Sequence, residues 1–105
     1  MHLTLSSPGL QLTDDEVDRI TKDLDKIDRR LHRFDEVYAD LRINGGPPGV
    51  PYHHVTLELR YGRNHLIAKA ESPDVGKAAR EAREEILRQI NDRSRGSHSD
   101  YAKGR

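Results

Sequence analysis

At 105 residues the chain has the length of one domain, and with 33% apolar residues, one Phe and no Trp its core must be lean and aliphatic. The absence of Cys excludes a disulfide framework, thiolate catalysis and any cysteine-ligated metal. With 18 basic and 18 acidic residues there is no net charge to attract polyanions, so nucleic-acid binding would need a local patch.

The opening MHLTLSSPGLQLT has neither a basic leader nor a long apolar run. It is not expected to be a signal peptide; no stretch of the chain reaches membrane-spanning length, and a cytoplasmic location is expected. Within it, His2 to Ser7 alternates Leu3 and Leu5 with polar residues and predicts a short strand, ended by Pro8-Gly9. Thr13-Asp14-Asp15-Glu16 is a capping-box pattern, and its acids suit the positive end of a helix dipole. A helix is predicted from there to about Arg33. Val17, Ile20, Leu24, Ile27, Leu31 and Phe34 fill an arc roughly 100° wide, which should face a core. Arg19, Lys22, Lys26, Arg29, Arg30 and Arg33 fill a second arc of similar width, centred roughly 140° away. Asp14, Asp18, Asp25 and Asp28 lie elsewhere on the wheel, with Asp15 and Asp23 at the margins of the basic arc.

Val37, Ala39, Leu41 and Ile43 then alternate with polar residues, predicting a strand with one buried face. Asn44 to Pro51 is rich in Gly and Pro and is expected to be a flexible connection. Val55, Leu57, Leu59 and Tyr61 mark the buried side of the next strand, Gly62-Arg63-Asn64 a hairpin turn, and His65 to Glu71 the last strand. Ser72-Pro73-Asp74 opens a second helix, with Ser72 as the expected cap and Pro73 at the first helical position. Its buried stripe is Val75, Ala78, Ala79, Ala82, Ile86 and Ile90. From Ser94 onward the periodicity ends, so residues 1–95 are expected to form the domain and 96–105 a flexible tail. The element order predicts an α+β two-layer sandwich: a four-stranded sheet, its first strand parallel to the second through a helical crossover, with both helices on one face.

The second helix adds Lys77, Arg80, Arg83 and Arg88, interleaved with Glu81, Glu84 and Glu85. Such a face is either a solvated surface laced with pairs three and four residues apart, or part of a phosphate-binding ridge shared with the first helix. No metal or other cofactor is expected: His53 and His54 point to opposite sides of a strand, and His2, His32, His65 and His98 have no ligand spacing. No paired acids, serine–histidine set or phosphate loop is present, so an enzyme is not expected.

Several pieces occur in an order that resembles the ribosome hibernation-promoting factor and ribosome-associated inhibitor family. They are Lys26-Ile27, Arg33-Phe34 and Val37-Tyr38, then Ala68-Lys69-Ala70-Glu71-Ser72-Pro73-Asp74, Ala78 and Ile86-Leu87-Arg88-Gln89. The resemblance runs from about His2 to Arg95 and needs no gap between Ala68 and Gln89. Gly76 stands where the family often has Tyr, Glu85 where it usually has Lys, and Arg80 and Arg83 where it commonly has Asp and an aliphatic residue. The resemblance implies a fold like a double-stranded-RNA-binding domain. It also implies binding to the small ribosomal subunit in the channel used by messenger and transfer RNA, blocking initiation and protecting idle ribosomes under stress. It carries over Lys26, Arg33 and Arg88 as contacts to ribosomal RNA; helical geometry adds Lys22, Arg29, Arg30, Lys77, Arg80 and Arg83. Long members of the family carry a second, dimerising domain; this chain is expected to act as a monomer without it. The alternative reading is a protein–protein adaptor using the open sheet face, with Tyr38, Tyr52, Thr56, Arg60 and Ile67.

Overall fold

The computed structural model describes residues 1–47, 49 and 52–103, with side chains as far as 94. The elements follow the predicted order: β1 (His2–Ser6), α1 (Asp14–Arg30), β2 (Val37–Gly45), β3 (His53–Tyr61), β4 (Asn64–Ser72) and α2 (Val75–Lys103). The sheet order is β1-β2-β3-β4, with β1 parallel to β2 and the other pairs antiparallel. Alternation along the strands buries Val37, Ala39, Leu41 and Ile43 of β2 and Val55, Leu57, Leu59 and Tyr61 of β3. Ile20, Leu24 and Ile27 of α1 and Ile86 and Ile90 of α2 complete the aliphatic core. Ala78, Ala79 and Ala82 are fully buried, and their small side chains let α2 lie close to its neighbours.

The capping box of α1 forms as predicted: the Thr13 hydroxyl accepts from the Glu16 amide at 3.1 Å, and the Glu16 carboxylate accepts from the Thr13 amide at 2.9 Å. The helix ends at Arg30 rather than Arg33. The Leu31 amide caps it by donating to the carbonyls of Ile27 and Asp28, and the Phe34 amide then closes a turn onto Leu31. That turn keeps Leu31 in the core and carries Phe34 out of it. Phe34, expected to join the apolar arc, is 41% exposed and meets Tyr61 edge-on at 4.9 Å.

Asn44 and Gly45, expected in the flexible connection, instead extend β2 by pairing with His54 and His53. Pro48, Val50 and Pro51 of that connection lie outside the described residues. The β3–β4 hairpin closes on the Tyr61–Asn64 pair, with Gly62 at φ 57°. No non-glycine residue described has positive φ, so Gly62 followed by Arg63 fits a type II′ turn, which demands glycine first. The cap of α2 is Asp74, not Ser72. The Asp74 carboxylate accepts from the amides of Gly76 at 2.9 Å and Lys77 at 3.4 Å, while its carbonyl accepts the first helical bond from Ala78. Ser72 acts one step earlier, its hydroxyl accepting from the Asp74 amide.

The helical backbone of α2 continues to Lys103, past the point where the sequence loses its periodicity; among the side chains described, the last it gives to the core is Ile90. Gly104 and Arg105 lie outside the described residues. Before its last core turn, Gln89 reaches sideways and its Nε2 donates to the Ile67 carbonyl of edge strand β4 at 3.0 Å. Among the described residues no helix is long and apolar enough to cross a membrane.

Candidate nucleic-acid interface

Helix α1 presents Lys22, Lys26 and Arg29 to solvent, and Arg33 projects just beyond its end. Among the described residues none of these four makes an ion pair. The reason lies partly in where the acids of the same helix are engaged. Asp28 takes the Met1 ammonium at 3.2 Å, and Asp23 takes Arg83 at 3.4 Å and Arg80 at 3.9 Å from α2. These two carboxylates are committed to other elements and leave the α1 cations without an ion pair, although Glu84 of α2 feels the charge of Lys26. Arg30 is also exposed, and its Nε and Nη2 donate to the Asn91 side-chain oxygen of α2 at 3.1 and 3.0 Å. That partner is neutral and leaves the guanidinium charge uncompensated.

The cations of α2 behave differently. Arg83, expected as a phosphate contact, is only 3% exposed and pairs with Asp23 and Glu84. Its position on the inward side of the helix, one residue from Ala82, makes it a structural ion-pair residue. The Arg83 Nε and one Asp23 oxygen lack hydrogen-bond partners, so charge attraction holds the pair more than directional bonding does. Asp23, across the helix interface, compensates the buried guanidinium. Arg88 is exposed but chelated by Glu85, with contacts of 2.6 and 3.1 Å, and by Asp92 at 2.9 Å. The hydrogen bond from Arg83 holds the Glu84 carboxyl below its ordinary range, and that from Arg88 does the same for Glu85. Lys77 and Arg80 are exposed but share their stretch of surface with Glu81, Glu84 and Glu85. The continuous two-helix ridge expected from the sequence is therefore not formed. Its α1 half is intact and its α2 half is largely neutralised.

Sequence reasoning missed one cation. Arg93 lies three residues beyond Ile90, at the helical spacing that continues the stripe through Ile86 and Ile90, and from its exposed position reaches toward the end of α1 and the β3–β4 turn. Its Nη1 donates to the Asn64 side-chain oxygen at 3.3 Å. A charged residue prolonging an apolar stripe was the available signal.

The open sheet face is occupied by its own polar pairs. Tyr38 stacks on His2 at 4.8 Å and donates to Glu36 at 2.8 Å, a bond that raises its phenol's pKa. His54 pairs with Glu71 at 2.8 Å, and Glu58 receives both His65 and Arg60. Of the residues proposed for an adaptor surface, Tyr38 and Ile67 are the large exposed hydrophobic ones, and they do not form one apolar patch of the kind a stable interface needs. Among the described residues no group of His, Asp and Glu is placed to hold a metal ion.

No protein-family model matches the chain, and no curated protein matches it in sequence. Solved structures do match its shape. The crystal structure of the Protein Y N-terminal domain from Thermus thermophilus superposes with a TM-score of 0.72 at 20% identity, covering 86% of this chain and 96% of that one. A ribosomal subunit interface protein from Coxiella burnetii superposes with a TM-score of 0.71 at 17% identity, covering 90% of this chain and 98% of that one. The chain has the Protein Y fold. The family resemblance carried by the sequence pieces and the likeness in shape thus point to the same fold, reached from different observations.

Proposed function

We propose that this chain is a non-enzymatic ribosome-binding factor of the hibernation type, docking on the small subunit in the messenger and transfer RNA channel and holding idle ribosomes out of initiation. The observation that carries the reading is a row of exposed, unpaired cations on α1, set on the fold of a Protein Y domain and a ribosomal subunit interface protein. Lys22, Lys26, Arg29 and Arg33 are its principal phosphate contacts, Arg30 assists from the helix end, and Lys77 and Arg80 flank the row. Arg88 contributes only where phosphate can displace Glu85 and Asp92. A rigid helix carrying cations at intervals of three and four residues suits folded RNA, read by shape and phosphate position more than by base sequence.

Co-sedimentation with purified small subunits across a salt series tests this. With about four phosphate contacts, affinity should fall roughly a hundredfold between 50 and 200 mM salt. Absence from the subunit fraction at every salt concentration overturns the proposal.

A further inference from the structure

Where α1 ends, α2 passes Ile90 and the β3–β4 turn doubles back, the three surround a cleft of about 410 Å³. That volume falls within the range of about 300–1,000 Å³ usual for small-molecule sites. Its walls carry Arg30, Arg33 and Arg93 together with Phe34, Tyr61 and Asn64. Leu31 and Ile90, both buried, form an apolar floor. Among the described residues no carboxylate lines the cleft, in contrast to the acid-rich surface along α2. Two of the three guanidiniums are already positioned by neutral amide oxygens, Arg30 by Asn91 and Arg93 by Asn64. A guanidinium has five N–H donors, so each keeps donors and its whole charge for a ligand.

Phe34 supplies the second half of the argument. It is the only Phe of the chain, and its turn sets the ring at the rim of the arginine cluster instead of in the core. The hollow on its other side is lined by Asp35 and Glu36 with a single cation, Arg60, so the three-arginine side is the more attractive to an anion. A ring beside clustered guanidiniums offers a stacking surface next to an anion site, the pairing that binds a base and its phosphate with little sequence preference.

We propose that this cleft is a nucleotide subsite, in which Arg30, Arg33 and Arg93 hold a phosphate and Phe34 stacks its base. The source of the nucleotide rests on the ribosome-binding reading, since Arg33 belongs both to the cleft and to the α1 row that would contact RNA. A free nucleoside monophosphate presents the same chemistry. Burial raises the Tyr61 phenol's pKa against the pull of Arg93 and Arg30, so its hydroxyl stays protonated near neutrality as a further donor.

The test is a titration of the full chain by NMR, following the arginine Nε–H signals and the Phe34 ring, with inorganic phosphate, adenosine monophosphate and a single-stranded RNA tetranucleotide. All three should shift Arg30, Arg33 and Arg93; only the nucleotide and the RNA should shift Phe34. Adenosine monophosphate should bind roughly tenfold tighter than phosphate, and Phe34→Leu should erase that advantage while leaving the response to phosphate. Arg93→Gln, at an exposed position, should weaken all three ligands about fivefold and carries the test if Phe34→Leu fails to fold. RNA shifts confined to Lys22, Lys26 and Arg29 overturn the cleft and leave the ribosome-binding reading standing. Nucleotide binding in the cleft with no RNA binding anywhere supports the subsite and overturns RNA as its source. Phosphate shifts without any gain from the base overturn the nucleotide assignment.

Discussion

On α1 the cations project into solvent while Asp28 turns to the N-terminus and Asp23 to α2; on α2 Arg80, Arg83 and Arg88 are met by acids from both helices. Basic residues on neighbouring helices thus have different availability to a polyanion. What separates them is the position of Asp23, Glu84, Glu85 and Asp92, not the number of basic residues. A phosphate approaching Arg88 competes with two carboxylates already in place, whereas Arg29 makes no ion pair and Lys26 feels Glu84 only at longer range.

Charge reversal is the strongest way to break this comparison. Lys26→Glu, Arg29→Glu and Arg33→Glu together should weaken small-subunit binding by about 3 kcal/mol or more, at roughly 1 kcal/mol for each lost contact. Arg88→Glu alone should weaken it far less than the α1 reversal, because the native arginine is already engaged by Glu85 and Asp92. Equal losses from an α1 and an α2 reversal, measured in the same sedimentation assay, would abolish the distinction between the faces.

Arg83→Ala should act on stability instead of binding. It strands Asp23 beside a buried cavity and should cost about 2–3 kcal/mol in denaturant unfolding, below the figure for a fully buried pair because Asp23 keeps 25% of its side-chain exposure. Arg83→Met with Asp23→Leu should recover most of the loss, restoring an aliphatic contact across the helices. Failure of that double variant to recover stability would show that the pair does more than fill and neutralise the interface.

Acid should erode the α2 side. Glu84 and Glu85 are held below their ordinary value of 4.5 by Arg83 and Arg88. A carboxyl depressed in the folded state stabilises it above its unfolded value, and that contribution is lost as pH falls through the folded value. The loss therefore belongs below about pH 4.5 and should be small, since both carboxylates lie near the surface. Glu85→Gln should flatten this part of the stability-against-pH curve; an unchanged curve would mean that the Arg88 cluster does not couple to folding. Deletion of residues 96–105 should matter least, shifting stability by less than about 0.5 kcal/mol, since Ile90 is the last core side chain among those described. A larger shift, measured by thermal unfolding, would assign the end of α2 a packing role.

The strands, their buried sides and the stripe of α2 were legible because alternation and helical spacing encode which side of an element meets the core. The capping box was legible because its two bonds are local. Phe34 was not: a helix that stops three residues early moves its side chain out of the arc that periodicity assigned, and the stop depends on Leu31 finding the core. Arg83 was illegible for a related reason. The wheel places it at the margin of the buried stripe, and only the packing of α2 against α1 brings Asp23 to it. Arg93 and Phe34 come together through residues some 60 positions apart in the chain, a juxtaposition that spacing along one helix cannot express.

The bond from Gln89 to the Ile67 carbonyl bears on how the molecule behaves in a crowded cell. β4 ends the sheet, and its outer backbone is where another polypeptide could zip on as a further strand. A side chain from the overhanging helix already fills one of those docking points, so an intruder must first evict it. One rung of that margin, at Ile67, is thus taken from within the fold.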